Sequence, residues 1–167
     1  MLEFEMVWRL VLAAALGAVL GLERSLAGKH AGMRTYALVS TGSAMFVITG
    51  VMASYQLQMF AGVNPLQIAS NVVLGVGFLG TGLAVFRGDH PVELTTAAGL
   101  WVAAGIGMAA GFGFSLLAFG AAIIAVLILT LLLSVENNVR RKYIPESEAT
   151  VKKISVKRRQ RSPAAVE

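Results

Sequence analysis

The sequence predicts an all-α integral membrane protein with five transmembrane helices. Of its 167 residues, 56% are hydrophobic and only 14% are charged, whereas a soluble domain is nearer half apolar and a quarter charged. Five apolar windows are long enough to cross a bilayer. One of them contains a series of glycines, which a membrane helix uses for close packing against a neighbouring helix.

The five windows follow one another along the chain with short connections. Crossing about 30 Å of hydrocarbon takes about 20 residues. The first window has a Glu-containing flank in place of a basic one, and four more windows follow it, which favours a helix over a signal peptide. The windows are 6–22, 36–54, 66–86, 95–111 and 114–135. Asn64 and Pro65 form an N-cap signal before the third window.

The distribution of Lys and Arg predicts the orientation. The loop between the first two windows contains Arg24, Lys29 and Arg34, and nine of the 14 basic residues follow Val139. The Tyr55–Pro65 loop has no charge. Basic loops stay in the cytoplasm, so we expect an external N-terminus and a cytoplasmic C-terminus. The predicted domains are a membrane domain, 1–138, and a basic tail, 139–167.

The basic tail has two interpretations. It can be a solvated end that fixes topology, or a segment held on anionic lipid. Nucleic-acid binding is not expected, because no aromatic residues alternate with the basic ones.

Glycines mark the expected helix contacts. The segment from Gly75 to Gly80 matches G-x-G-x-x-G, but it lies inside one apolar window, so a dinucleotide site is rejected. Two G-x-x-x-G pairs occur in other windows and predict close approach within the bundle or between subunits. The predicted packing residues are Gly17, Gly21, Gly75, Gly77, Gly80, Gly82, Gly107 and Gly111.

Polar residues near membrane depth are candidates for function. Asn71 lies in the third window, Ser40, Thr41 and Ser43 in the second, and Thr81 in the third. They can form hydrogen bonds between helices, or line a path for an ion or small ligand.

A charged loop precedes the second window. A Glu23–Arg34 pair across the turn is plausible, and these residues are either interfacial anchors or a functional site. Glu23, with Asp89 and Glu93 from the next inner loop, could supply oxygen ligands to Mg²⁺.

The sequence does not predict an enzyme. There are no cysteines and only two histidines, His30 and His90, which excludes thiol chemistry and a zinc site built by these two alone. No nucleophile elbow or H-E-x-x-H motif is present. No catalytic residue and no cofactor are therefore expected.

Several motifs together resemble the MgtC/SapB family of bacterial membrane proteins. They are GLER at 21–24, AGMRT at 31–35, GFLGTG at 77–82 and LTTAA at 94–98, followed by Trp101. The resemblance covers roughly residues 7–115. It carries over the polar positions Glu23, Arg24, Arg34, Thr35, Thr95 and Thr96. Asn71 stands where a Gln is common, and Gln67 where an Arg is common.

The resemblance implies a multi-pass protein of the bacterial inner membrane linked to magnesium limitation or stress. It favours a non-enzymatic role through contact with other membrane proteins, and a Mg²⁺ or other cation transporter or channel is the alternative. Self-association through the small-residue faces is expected. Larger members add a soluble C-terminal domain, which the roughly 30 residues after the last window are too few to form.

Overall fold

A computed structural model describes residues 2–56, 64–85 and 94–143, and these ranges contain five helices and no strand. The five helices are α1 (Leu2–Leu26), α2 (Met33–Gln56), α3 (Pro65–Val85), α4 (Leu94–Gly111) and α5 (Ser115–Tyr143). The all-α prediction and its five helices are confirmed. The chain divides into two compact units, Met1–Leu127 and Ile128–Glu167.

Four of the helices are long and apolar enough to cross a membrane. They are α1, α2, α4 and the part of α5 from Ser115 to Glu136. The apolar stretch of α3, Leu66–Gly82, is shorter. At 1.5 Å per residue it extends about 25 Å, near the lower limit for a span.

Helix α2 lies between α1 and α4. Gly17 of α1 approaches Tyr36 and Ser40, and Gly21 approaches Met33, so α1 and α2 are antiparallel. Along α4, Gly107 meets Ser40 and Gly111 meets Ala44, so α4 runs parallel to α2. Helix α3 packs on α2 and α4. The bundle therefore has an Arg24 end, where α1 ends and α2 and α4 begin, and an opposite end.

Two tight turns connect neighbouring helices. Gly28 has a φ of 68° and Gly113 a φ of 88°, a left-handed backbone conformation that suits glycine. After α1, Gly28 N–H donates to Ser25 O at 3.1 Å and Lys29 N–H donates to Arg24 O at 2.9 Å. The same pair of bonds follows α4, and each is a Schellman motif that satisfies terminal carbonyls.

The start of α3 follows the capping rule. The Asn64 side-chain oxygen accepts a hydrogen bond from Leu66 N–H at 2.9 Å, next to a proline at the first helical position. The expected N-cap is confirmed.

Many of the buried side chains are small, and many of the large apolar ones face outward. Buried residues of α4 include Gly99, Ala103, Ala104, Gly107 and Ala110. Exposed large residues include Phe4, Leu38, Leu74, Phe78 and Leu116. This arrangement suits helices packed within lipid. There the hydrophobic effect does not drive apolar side chains into the bundle, and close approach of the backbones stabilises helix association.

Three predicted segments lie outside the described residues: the uncharged loop up to residue 63, the loop with Arg87, Asp89, His90 and Glu93, and the tail after Tyr143. The domain boundary at 138 and the orientation of the chain stay predictions.

Candidate functional site

The Arg24 end is built around a buried ion pair. The side chain of Arg24 is 3% exposed and that of Glu23 is 11% exposed. Arg24 Nη2 donates to Glu23 Oε1 at 2.8 Å and Nε donates to Oε2 at 2.5 Å. A guanidinium fork on both carboxylate oxygens is the geometry that Arg favours. This pairing allows two charges to lie among packed helices.

The expected Glu23–Arg34 pair is wrong. Arg34 is exposed on the first turn of α2. Both oxygens of Glu23 instead accept hydrogen bonds from the adjacent guanidinium of Arg24.

A hydroxyl joins α1 to α2 at the same end. Ser25 Oγ donates to Gly21 O at 3.1 Å and accepts from Met33 N–H at 3.1 Å. Gly32 makes room for this contact, because a Cβ there would overlap Ser25 Oγ. Ser25 thus caps the start of α2 from the end of α1.

A buried tyrosine joins α2 to α4. Tyr36 is fully buried, and its hydroxyl donates to Thr96 O at 3.1 Å. Gly99 makes room for the ring, because a Cβ at this position would overlap Tyr36 Oη. The first turn of α4 is therefore fixed to α2, and the Arg24 end holds three helices together.

The predicted polar residues divide between two places. Glu23, Arg24, Arg34, Thr35, Thr95 and Thr96 lie on the helix ends that meet at the Arg24 end, where Thr96 is buried and Thr95 is exposed. Asn71 lies elsewhere, exposed on the second turn of α3. These seven residues therefore do not form one cluster.

The membrane-depth hydroxyls mostly bond within their own helices. Thr41 donates to Ala37 O, Ser43 to Val39 O and Thr81 to Gly77 O, at 2.7–2.9 Å. For these three the expected bonds between helices are wrong, because a carbonyl four residues earlier satisfies the hydroxyl locally. Ser40 Oγ is buried and has no hydrogen-bond partner within the described chain.

Glycines of α1 and α4 meet carbonyl oxygens of α2. A Cβ at Gly17 would lie 2.6 Å from Tyr36 O, and one at Gly111 would lie 2.8 Å from Ala44 O. A Cβ at Gly107 would overlap Ser40 O. Such approaches allow Cα–H···O contacts between helices. Gly21 packs equally closely on Met33.

The glycines of α3 behave differently. A Cβ at Gly80 would make an ordinary contact with Ala97, 3.4 Å away, and one at Gly75, Gly77 or Gly82 would meet nothing within 4 Å. Among the described residues, these three glycines make no close contact with another helix, and their predicted packing role stays a prediction. Residues two apart lie about 200° apart around a helix, so Gly75 and Gly77 cannot serve one contact.

Arg9 joins α1 to the end of α4, a contact that the sequence does not predict. At the end opposite Arg24, its Nη1 donates to Gly111 O at 3.2 Å, and its Nη2 bonds Glu5 on the preceding turn. A cation at the C-terminal carbonyls of α4 complements the helix dipole. The available signal was an isolated Arg, four residues after a Glu, near the start of an apolar helix.

The described residues contain no group of three or more His, Asp or Glu that could hold a metal ion. Their carboxylates lie near the ends of α1, at Glu3, Glu5 and Glu23, and at the end of the apolar part of α5, at Glu136. Asp89 and Glu93, the other proposed ligands of Mg²⁺, lie outside the described residues, so that hypothesis stays a prediction.

Comparison with known proteins decides the family. The family model of MgtC matches residues 10–138, from the middle of the first half of α1, through α2, α3 and α4, to just past the apolar part of α5. The chain belongs to the MgtC family. With its apolar helices, this membership makes it a multi-pass membrane protein.

Curated relatives of this MgtC-family chain share about 40% identity. YhiD of Escherichia coli K12, named as a candidate magnesium transporter, is 40% identical over 127 residues, or 75% of this chain and 59% of YhiD. SrpB of Synechococcus elongatus is 42% identical over 104 residues, 57% of each chain. MgtC of Salmonella typhimurium is 40% identical over 101 residues, 60% of this chain and 41% of MgtC.

The chain thus spans between two fifths and three fifths of the length of these relatives. No solved structure matches it.

Proposed function

We propose that this chain is a non-enzymatic protein of the bacterial inner membrane that serves magnesium homeostasis or stress adaptation by contacting other membrane proteins. The magnesium link is supported by family membership and by the name of the relative YhiD. The choice of contact over conduction is supported by the packing of the bundle.

The observation that carries this proposal is the closed contact of α2 with α1 and α4. Backbone meets backbone at Gly17, Gly107 and Gly111, and the core between these helices is almost entirely apolar. A hydrated divalent cation needs oxygen ligands and water. The described part of these helices offers no carboxylate at mid-membrane depth.

The alternative function is a Mg²⁺ transporter or channel, and the name of YhiD favours it. In this alternative the exposed amide of Asn71 and the carboxylate of Glu23 are the residues that would contact the ion or its water shell.

Ion flux in liposomes separates the two functions. The full chain is reconstituted into vesicles that contain a magnesium-sensitive dye, with a divalent-cation ionophore as positive control. We expect Mg²⁺ entry equal to that of protein-free vesicles. The contrary result is Mg²⁺ entry well above this background, abolished by Asn71→Leu or Glu23→Gln. That result would establish a transporter and overturn the proposal.

Growth at low Mg²⁺ tests the contact function directly. Arg34 is exposed at the Arg24 end, where a partner can reach it without disturbing the bundle. We expect Arg34→Ala to lose rescue of a strain that lacks the native gene, with membrane levels unchanged. Leu38→Ala, exposed one turn further along α2, is the control and should retain rescue. Full rescue by Arg34→Ala would exclude a contact through this residue.

A further inference from the structure

A lateral groove lies between parts of α2 and α3. Its volume is about 640 Å³, and its walls include Gly42 and Phe46 of α2 with Asn71, Gly75 and Leu79 of α3. A Cβ at Gly42 or Gly75 would meet nothing within 4 Å. The groove is therefore an open slot in the side of the bundle, with glycine on both of its walls.

One wall of the groove carries a polar side chain close to the middle of an apolar helix. Asn71 is four residues from Gly75, the central residue of α3, which places it about 6 Å from the middle of the helix. The hydrocarbon layer extends about 15 Å to either side of its centre. Asn71 is exposed, and its amide makes no hydrogen bond to any described residue. An amide in lipid calls for a partner with hydrogen-bonding groups.

Large apolar side chains project from the same helix beside this slot. Leu74 is 73% exposed and Phe78 is 79% exposed. Since residues 71, 74, 75 and 78 are spaced by three and four, they share one face of α3. This face therefore presents side chains that project and a slot that receives them, which is what an interface between identical surfaces requires.

We propose that α3 and the adjoining groove form a two-fold interface with α3 of a second copy of this chain. Near the symmetry axis, Asn71 of one copy meets Asn71 of the other, and each amide donates to and accepts from its counterpart. Leu74 and Phe78 of each copy enter the groove of the other, and Gly75 allows the backbones to approach. This association does not rest on the proposed function, because it requires neither magnesium nor another protein.

A lipid chain explains these observations less well. An acyl chain can occupy an apolar slot, but it leaves the amide of Asn71 without a hydrogen bond. A second copy fills the slot and satisfies the amide at once.

Disulfide cross-linking tests the interface in the full chain. The protein has no cysteine, so a single introduced thiol reports one position. Gly75→Cys, reconstituted in phosphatidylcholine vesicles and oxidised with copper phenanthroline, should give disulfide-linked dimers. Gly105→Cys is the matched control, because Gly105 is also a helical glycine with nothing within 4 Å of its Cβ position. It lies on α4 near the middle of that helix and should remain monomeric.

The role of Asn71 is measured in the Gly75→Cys background. Asn71→Leu should weaken association about 3- to 15-fold, the range expected from loss of an interhelical hydrogen bond. Asn71→Gln retains the amide and should stay within about twofold of the parent.

Each outcome decides the proposal. Dimers at Gly75 that persist when the lipid-to-protein ratio is raised tenfold, and that decrease with Asn71→Leu, support it. A yield no higher than that of Gly105→Cys overturns it and leaves the groove to lipid or to a different protein. A yield unchanged by Asn71→Leu overturns the Asn71 contact. Magnesium flux plays no part in these results, so failure here is distinct from failure of the proposed function.

Discussion

Helix α2 has two glycine-rich neighbours, and it packs differently on each. Against α4, the glycines at 107 and 111 meet the carbonyl oxygens of Ser40 and Ala44. Against α3, the groove keeps Gly42 and Gly75 apart, with nothing near either Cβ position. The α4 contact is completed within the chain, whereas part of the α3 face stays open and is the surface that we propose for a second copy.

The spacing of the small residues explains this difference. Gly107 and Gly111 are four apart, as are Ser40 and Ala44, so two matching rows face each other. On α3 the glycines at 75 and 77 lie on nearly opposite sides of the helix. Close helix packing is therefore predicted better by two rows of small residues with matching spacing than by a high local density of glycine.

The largest effect should follow from blocking the α2–α4 contact. Gly107→Leu puts a side chain where even a Cβ overlaps Ser40 O. We expect a loss of stability above the roughly 1–3 kcal/mol typical of overpacking, seen as loss of the monodisperse peak in detergent gel filtration. Gly105→Leu on the same helix points into open space and should retain that peak. Equal behaviour of the two variants would contradict the contact.

The next largest effect concerns the Glu23–Arg24 pair. Glu23→Ala removes the carboxylate that accepts two hydrogen bonds from a buried guanidinium, and we expect thermal unfolding in detergent to show a loss of about 3 kcal/mol. Glu3→Ala removes an exposed carboxylate at the other end of α1 and serves as control, with a change within about 0.5 kcal/mol. A Glu23→Ala variant as stable as Glu3→Ala would show that the pair contributes little.

A smaller effect should follow from Tyr36→Phe. The ring still fills the space beside Gly99, but the hydroxyl bond to Thr96 O is lost. We expect a loss of about 1 kcal/mol in the same unfolding measurement. Tyr55→Phe, at an exposed tyrosine near the end of α2, should change nothing measurable. A loss as large as that of Glu23→Ala would mean that the hydroxyl does more than bond Thr96.

The smallest effect is expected on α3. Gly77→Ala adds a methyl group where nothing lies within 4 Å, so the stability of the monomer should change by less than about 0.5 kcal/mol. Gly17→Ala is the contrasting variant, since its Cβ would lie 2.6 Å from Tyr36 O. Destabilisation by Gly77→Ala comparable to that of Gly17→Ala would refute the difference between α3 and the packed helices.

Sequence patterns predicted the helices well, because apolar length and capping are local properties. Helices α1 and α2 extend beyond their predicted windows at both ends, α5 extends beyond its window at the C-terminal end, and Asn64 caps α3 as expected. The sequence did not predict which side chains form hydrogen bonds with residues far away in the chain. The partner of Glu23 and the hydrogen bond from Tyr36 to Thr96, 60 residues apart, depend on which helix faces come together. The same is true of Arg9 and its contact with Gly111 across 102 residues.

The turn at Gly113 also governs how the protein is assembled in the membrane. Only Phe112, Gly113 and Phe114 separate α4 from α5, and none of them is charged. We therefore expect these two helices to enter the lipid together as a hairpin, since no polar segment lies between them. On this expectation α4 reaches α2 already joined to α5, so the close contact of α4 with α2 forms late in synthesis.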